Sequence, residues 1–289
     1  MAQDTRKVKT GKQQLSSGVQ GDERLRFLTH TLLPLTIMLL VPNVVVCLIS
    51  FVVSHSSSSA KALELGFTNF WIESWTVQTF LTLETWAFIG AYTAYSGLSL
   101  LLIPGSTYYG PPTSTGHRPV YRKSGFTYYV ITMSIAAFIL LVINVPCQTV
   151  YRRMPGFAVA LVLFASIISL LLYVKGRTCP SPGEHGPTGS VVFDFYWGLE
   201  LYPRIAERLD VKQWTNCRFG MMMWQLLVLV GWKAQVEATG WNWCVASTSM
   251  LQTVYIAKFF WWEDGYMQTI DITVDRAGRQ AIFFSAAAK

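Results

Sequence analysis

The chain has 289 residues and carries 23 Lys and Arg against 16 Asp and Glu, a formal net charge of +7. Only 13% of its residues are charged and 52% are apolar, where a soluble domain has about a quarter charged; this excludes an ordinary water-soluble globule and points to an integral membrane protein. The basic excess sits beside apolar runs, so it reads as orientation next to anionic headgroups and not as a nucleic-acid footprint.

The chain opens on a polar, Lys-rich tail, residues 1–30, expected to be mobile. The first apolar run follows that tail and is long enough to span, so no cleavable signal peptide is expected. A helix needs roughly 20 apolar residues to cross about 30 Å of hydrocarbon. Six runs approach this: 31–53; 77–103, interrupted by Glu84; 126–145; 157–174; 219–236, if Lys233 snorkels; and 243–262, with Lys258 near its end. The runs are continuous and lack a period of two, so the expected fold class is an all-α polytopic transmembrane helix bundle of about six spans, not a barrel. Eleven tryptophans and thirteen tyrosines suit the two membrane–water interfaces. Glu84, an ionisable residue inside a span, is a functional candidate by default, against the simpler reading of a carboxylate paired near a helix end.

Loop charge sets the orientation. The tail, the loop with Arg118, Arg122 and Lys123, and the long loop between the fourth and fifth runs share a cytosolic side, while Arg152 and Arg153 in a short loop go against it. The SHSSSSAK stretch and PSPGEHGPTGS at 180–190 read as loops. Five cysteines without a CxxC spacing support neither a disulfide framework nor a zinc site, and four scattered histidines give no metal site.

One stretch resists this scheme. Residues 191–205, VVFDFYWGLELYPRI, mix aromatics with Asp194, Glu200 and Arg204, in a loop longer than an ordinary helix–helix connection. Gly198 permits an unusual backbone angle and Pro203 fixes another. One reading is an interfacial amphipathic segment whose Glu200 and Arg204 pair across a helical turn; the other is a functional loop.

Four segments in order resemble the sterol reductase family. GSVVFDFYWGLELYPR (189–204) looks like its signature through Gly189, Phe193, Asp194, Gly198, Glu200, Pro203 and Arg204. LLIPGSTYYGPPTSTGHRPVYRKSG (101–125) is similar to a family loop through Gly116, Arg118, Pro119 and Tyr121. LDVKQWTNCRFGMMMW (209–224) and KFFWWEDGYMQTIDITVDRAG (258–278) follow as the family pattern expects. WGLELYPRI, TNCRFGMM and KFFWWE look most like the branch acting on Δ5,7-sterols, as opposed to the Δ14-sterol reductases or the lamin B receptor.

The resemblance implies a multi-pass enzyme of the endoplasmic reticulum membrane with its N-terminus cytosolic, reducing the C7–C8 double bond of a Δ5,7-sterol with NADPH. The sterol would arrive through the bilayer among membrane lipids; no nucleic-acid partner is implied, and partner enzymes of sterol synthesis are left open. The alternative within the family is a non-catalytic sterol-binding or scaffold protein. An isolated alkene needs a proton as well as a hydride, so the site should hold an acid whose pKa is raised by an apolar setting. Candidates are Glu263, after the Trp-Trp pair; Asp271 and Asp275, which a helix would place on one face; and, more weakly, Tyr266. The plainer reading leaves the carboxylates facing water. The resemblance stops after Gly278, so 31–278 is expected to be the N-terminal part of the reductase domain and 279–289 an unrelated tail. The family keeps most of its NADPH contacts in a following half, and no GxGxxG loop occurs here, so no cofactor residue is assigned and the chain alone is expected not to oxidise NADPH.

Overall fold

The computed structural model describes residues 23–54, 64–75, 82–113, 115–206 and 208–286. Most of the N-terminal tail, nearly all of SHSSSSAK and the start of the second apolar run lie outside them.

Helix α1 (Glu23–Val53) begins earlier than the apolar run alone predicts, and passes through a π-helical turn, Leu28–Leu32. Its interior carries Pro42, which cannot donate to the preceding turn. The next residue, Asn43, is used instead: its Oδ1 accepts the indole N–H of Trp71 (2.8 Å) and Trp75 (2.9 Å), fastening α2 (Phe67–Trp75) to α1. Helix α3 (Leu83–Leu102) starts at Thr82, whose hydroxyl accepts the Thr85 N–H. Glu84 is neither buried nor isolated: it pairs with Arg153 at 2.7 Å, and both side chains are exposed.

The segment with Gly116, Arg118, Pro119 and Tyr121 is a two-stranded antiparallel ladder, β1 (Ser106–Tyr109) with β2 (Val120–Lys123), placing Tyr108 opposite Tyr121. After it come α4 (Gly125–Val142), ending in a π-helical turn, α5 (Cys147–Arg152) and α6 (Met154–Thr178). The long loop then holds α7 (Val191–Trp197) and the small ladder β3 (Arg204–Ile205) with β4 (Leu209–Asp210). A nine-residue π-helical segment, Gln213–Met221, runs directly into α8 (Met222–Thr239), followed by α9 (Trp243–Trp261), α10 (Glu263–Tyr266), α11 (Ile270–Thr273) and α12 (Arg279–Ala286).

The chain is an all-α membrane protein. Each of the six apolar runs coincides with a long helix, but among the described residues only α1, α4 and α6 are long and apolar enough to cross a membrane by composition. In α3, α8 and α9 aromatic, Gln, Ser and Gly residues dilute the aliphatic content, and Tyr92, Ser96, Gly97 and Ser99 of α3 and Gln225 of α8 are buried. Helix α6 is central. Its Val159, Val162, Ala165 and Leu172 meet Val46 of α1, Leu100 of α3, Trp214 of the π-helical segment, and Ile282 and Phe283 of α12. Residues read from the sequence as an unrelated tail thus form a helix that enters this core.

Candidate functional site

The signature folds into a corner of backbone. Ser190 caps α7, accepting the Phe193 N–H and donating to the His30 carbonyl at 2.9 Å. Phe193 stacks on Trp197 and touches the His30 ring, so the aromatics of this stretch hold α7 against α1. Asp194 is fully buried: one carboxylate oxygen accepts the N–H and hydroxyl of Thr188 (2.8 and 2.7 Å), and the other faces Arg177 at 3.4 Å.

The chain turns at Gly198, with φ 101° and ψ 153°, a conformation open essentially to glycine. A β-carbon there would sit 2.6 Å from the backbone N of Gly278, so two glycine backbones cross without side chains between them. Beyond the turn the helical pair of Glu200 with Arg204 does not form, because 198–203 is not helical. Glu200 is buried and takes Lys175 Nζ on both oxygens (2.9 and 3.0 Å) and the Ser181 N–H. Arg204 donates to the Val120 carbonyl, and Pro203 O accepts the Val211 N–H. The signature and the last motif are therefore joined: Ala277 N–H donates to Glu200 O at 3.1 Å and Arg276 to Gly186 O at 2.8 Å.

The polar centre of the fold lies one layer deeper. Arg218, within the π-helical segment, is fully buried and grips Glu263 through two bonds, Nη1 to Oε1 at 2.5 Å and Nη2 to Oε2 at 3.0 Å. Gln213 Nε2 reaches the same carboxylate at 3.1 Å and the Arg122 carbonyl at 2.7 Å, and Ser124 Oγ accepts from Arg218. Tyr128 lies under the guanidinium, 5.4 Å from its ring centroid. The hydroxyls of Tyr92 and Tyr128 donate to the carbonyls of Arg218 and Phe219, which the wide π-helical turn leaves open to outside donors. Gly125 makes room for the carboxylate, since any side chain there would overlap Glu263. The first residue of α4 thus also presents that helix's positive end to the anion. Arg218 was not singled out from the sequence; the available signal was a lone cation inside TNCRFGMMM, at the edge of the fifth apolar run, where a charge calls for a partner.

The other carboxylates do not assemble. Helix α11 ends at Thr273, so Asp271 and Asp275 do not share the buried helical face that their spacing suggests. Asp271 is exposed, while burial raises the Asp275 carboxyl above its ordinary value. Tyr266 is half-buried, stacks against Phe259 at 4.8 Å and lines an open cavity of about 380 Å³ with Tyr255, Lys258, Phe259 and Trp262. Burial also pushes its phenol up, with Cys217 and Asp271 adding to the effect. Its hydroxyl has no hydrogen-bond partner among the described residues. Neighbouring Asp264 is held below the usual carboxylate range by Lys123, 2.6 Å away.

Lys212 is buried beside this cluster. Its ammonium donates to the carbonyls of Ile272 (2.6 Å) and Asp275 (2.5 Å) and lies 4.8 Å from the Tyr202 ring centroid. Burial pushes its pKa from the ordinary 10.5 down to about 8, against the pull of Asp210 and Asp275. Between these values the unfolded chain binds more protons than the folded one, so this group makes stability rise with pH from about 8 to 10.5. The SDS-unfolding midpoint is expected to climb over that window in the parent chain and to stay flatter in Lys212→Met.

The comparisons with known proteins agree with one another. The profile of the ergosterol biosynthesis ERG4/ERG24 family matches residues 27–288. 7-Dehydrocholesterol reductase from Arabidopsis thaliana is 40% identical over 202 residues, covering 68% of this chain and 46% of that protein. Delta(14)-sterol reductase LBR from Gallus gallus is 29% identical over 218 residues (72% and 32%), and Delta(14)-sterol reductase from Ascobolus immersus is 27% identical over 222 residues (73% and 51%). The chain spans about a third to a half of the length of these relatives.

Proposed function

Because the chain belongs to the ergosterol biosynthesis ERG4/ERG24 family of sterol reductases, we propose that it serves the reduction of the C7–C8 double bond of a Δ5,7-sterol at the endoplasmic reticulum membrane, with its N-terminal tail in the cytosol. The substrate choice rests on the 40% identity to a 7-dehydrocholesterol reductase, against 29% and 27% to Δ14-sterol reductases.

The chemistry assigns different tasks to the acidic groups. Glu263 has both oxygens occupied by Arg218 and Gln213, so it acts as a fixed anion that positions α10 and does not deliver a proton. Asp271 faces water. Tyr266 combines a retained proton, a hydroxyl without a hydrogen-bond partner among the described residues and a place on a largely apolar wall, and it is the residue that would hold a proton over a sterol ring entering from the bilayer. Reduction then needs a hydride on the other alkene carbon, which NADPH supplies in the proposed reaction. The residues around this cavity do not fit that cofactor's phosphates: Lys123 and Arg218 are committed to carboxylates, leaving Lys258 as the one cation among its described lining. No hydride step is assigned to this chain.

The test is sterol product analysis in membranes carrying the chain continued after Gly278 into the remainder of the A. thaliana relative. With NADPH, 7-dehydrocholesterol is expected to be saturated at C7–C8 and a Δ14-sterol left intact. Tyr266→Phe should slow turnover by about 10²–10⁴, the usual worth of a general acid, without changing sterol retention. A protein that crosslinks a photoactivatable sterol but reduces neither substrate would instead be a sterol-binding scaffold.

A further inference from the structure

We propose that the space between α1, α5, α6 and α8 is a second lipid site, separate from the Tyr266 cavity, that takes the acyl chain of an anionic phospholipid with its headgroup at Arg152. The inner part is a cavity of about 360 Å³ whose walls include Leu48 and Ile49 of α1, Phe157 and Leu161 of α6, and Met223 and Leu227 of α8. It shares Val53 and Tyr151 with an outer groove of about 740 Å³ whose mostly apolar lining is interrupted by polar residues, among them Gln148, Arg152, Gln235, Ser249 and Gln252. The two spaces adjoin at these shared residues, the first almost wholly apolar and the second carrying the polar groups.

Length and charge identify the occupant. From Met223 at the inner end to Gln235 at the mouth, α8 rises about 18 Å at roughly 1.5 Å per residue. One leaflet's share of the roughly 30 Å hydrocarbon core is about 15 Å, so an extended acyl chain fits with its headgroup outside. Around the mouth Arg153 is balanced by Glu84, and Lys233 by Glu237, which also caps the Cys147 and Gln148 amides. Arg152 has no ion-pair partner among the described residues, is exposed, and lines a groove that has no carboxylate. A sterol brings a neutral hydroxyl and leaves that cation unbalanced; an anionic headgroup balances it. The two arginines that run against the loop-charge pattern thus have separate uses, Arg153 for Glu84 and Arg152 for lipid.

The experiment places the chain in phosphatidylcholine nanodiscs doped with phosphatidylserine bearing a diazirine in its acyl chain, then maps crosslinked peptides by mass spectrometry. Labelling is expected within 154–161 and 220–227, about fivefold above that from a diazirine phosphatidylcholine, as one basic contact predicts. Arg152→Gln, an exposed change that leaves packing alone, should bring the two probes level. Leu161→Trp should remove labelling from these peptides by filling the chamber. Equal labelling by both phospholipids in the parent chain, a preference unchanged by Arg152→Gln, or stronger labelling of these peptides by a diazirine sterol would each overturn the proposal.

Discussion

Glu263→Ala should cost the folded bundle about 3–5 kcal/mol, because it strands a guanidinium that has no access to water. Arg218 is fully buried and Glu263 is 1% exposed. The carboxylate is the acceptor for two bonds from Arg218 and one from Gln213. Removing it leaves Ser124 Oγ and the Tyr128 ring as the guanidinium's remaining partners. A buried ion pair is weak evidence of net stability, since desolvating both ions offsets most of their attraction; what is costly is removing one partner alone. The double substitution Arg218→Met with Glu263→Leu should therefore lose much less than Glu263→Ala. Unfolding in mixed SDS micelles, followed by near-ultraviolet circular dichroism, measures both. If the double variant is less stable than the single one, the pair contributes net stabilisation beyond mutual compensation, and the argument fails.

Gly198→Ala should be nearly as damaging for a different reason. A residue with a β-carbon pays about 1–3 kcal/mol to hold such a backbone conformation. The new methyl would also meet the Gly278 backbone at 2.6 Å, where no flexible side chain can move aside. The two effects together are expected to exceed about 3 kcal/mol and to part the signature from the last motif. Gly189→Ala is the internal control. Its φ of 97° is also unfavourable for alanine, but nothing lies within 4 Å of the added carbon, so it should show strain alone, about 1–3 kcal/mol. Detergent extraction followed by fluorescence-detected size exclusion at rising temperature would rank the two. Equal losses would mean that the crossing contributes nothing.

The long helices were legible because a bilayer forces continuous apolar runs, and a continuous run is a local property of the chain. Their ends were less so. Helix α1 already includes the polar residues from Glu23, the first described position, ahead of the apolar run. The ladder formed by β1 and β2 read as a loop, since STYYGPPTSTGHRPVY shows glycine and proline punctuation and hides a register that only the pairing of Tyr108 with Tyr121 reveals. The expected pair of Glu200 with Arg204 assumed a helix through Gly198, and the glycine's backbone angle ends it. At the site, motif order located Glu263 and Tyr266, but spacing could not say that one carboxylate is locked and that one phenol has no hydrogen-bond partner among the described residues. Arg218 was missed because its partner is 45 positions away and because the π-helical turn that aims it has no sequence signature of its own. Asp271 and Asp275 looked paired on the assumption of a longer helix than the one that forms.

The separation of those two ionic partners bears on how the chain is made. During synthesis Arg218 emerges ahead of Glu263, with the whole of α9 between them. Until the acidic residue has been translated, the arginine has no carboxylate to neutralise it, and sinking it into lipid is costly. The start of α8 is therefore expected to stay at the membrane surface while the ribosome adds the next helix, and to settle inward when α10 arrives. Such a dependence would make α8, α9 and α10 commit together, as one delayed step of biogenesis.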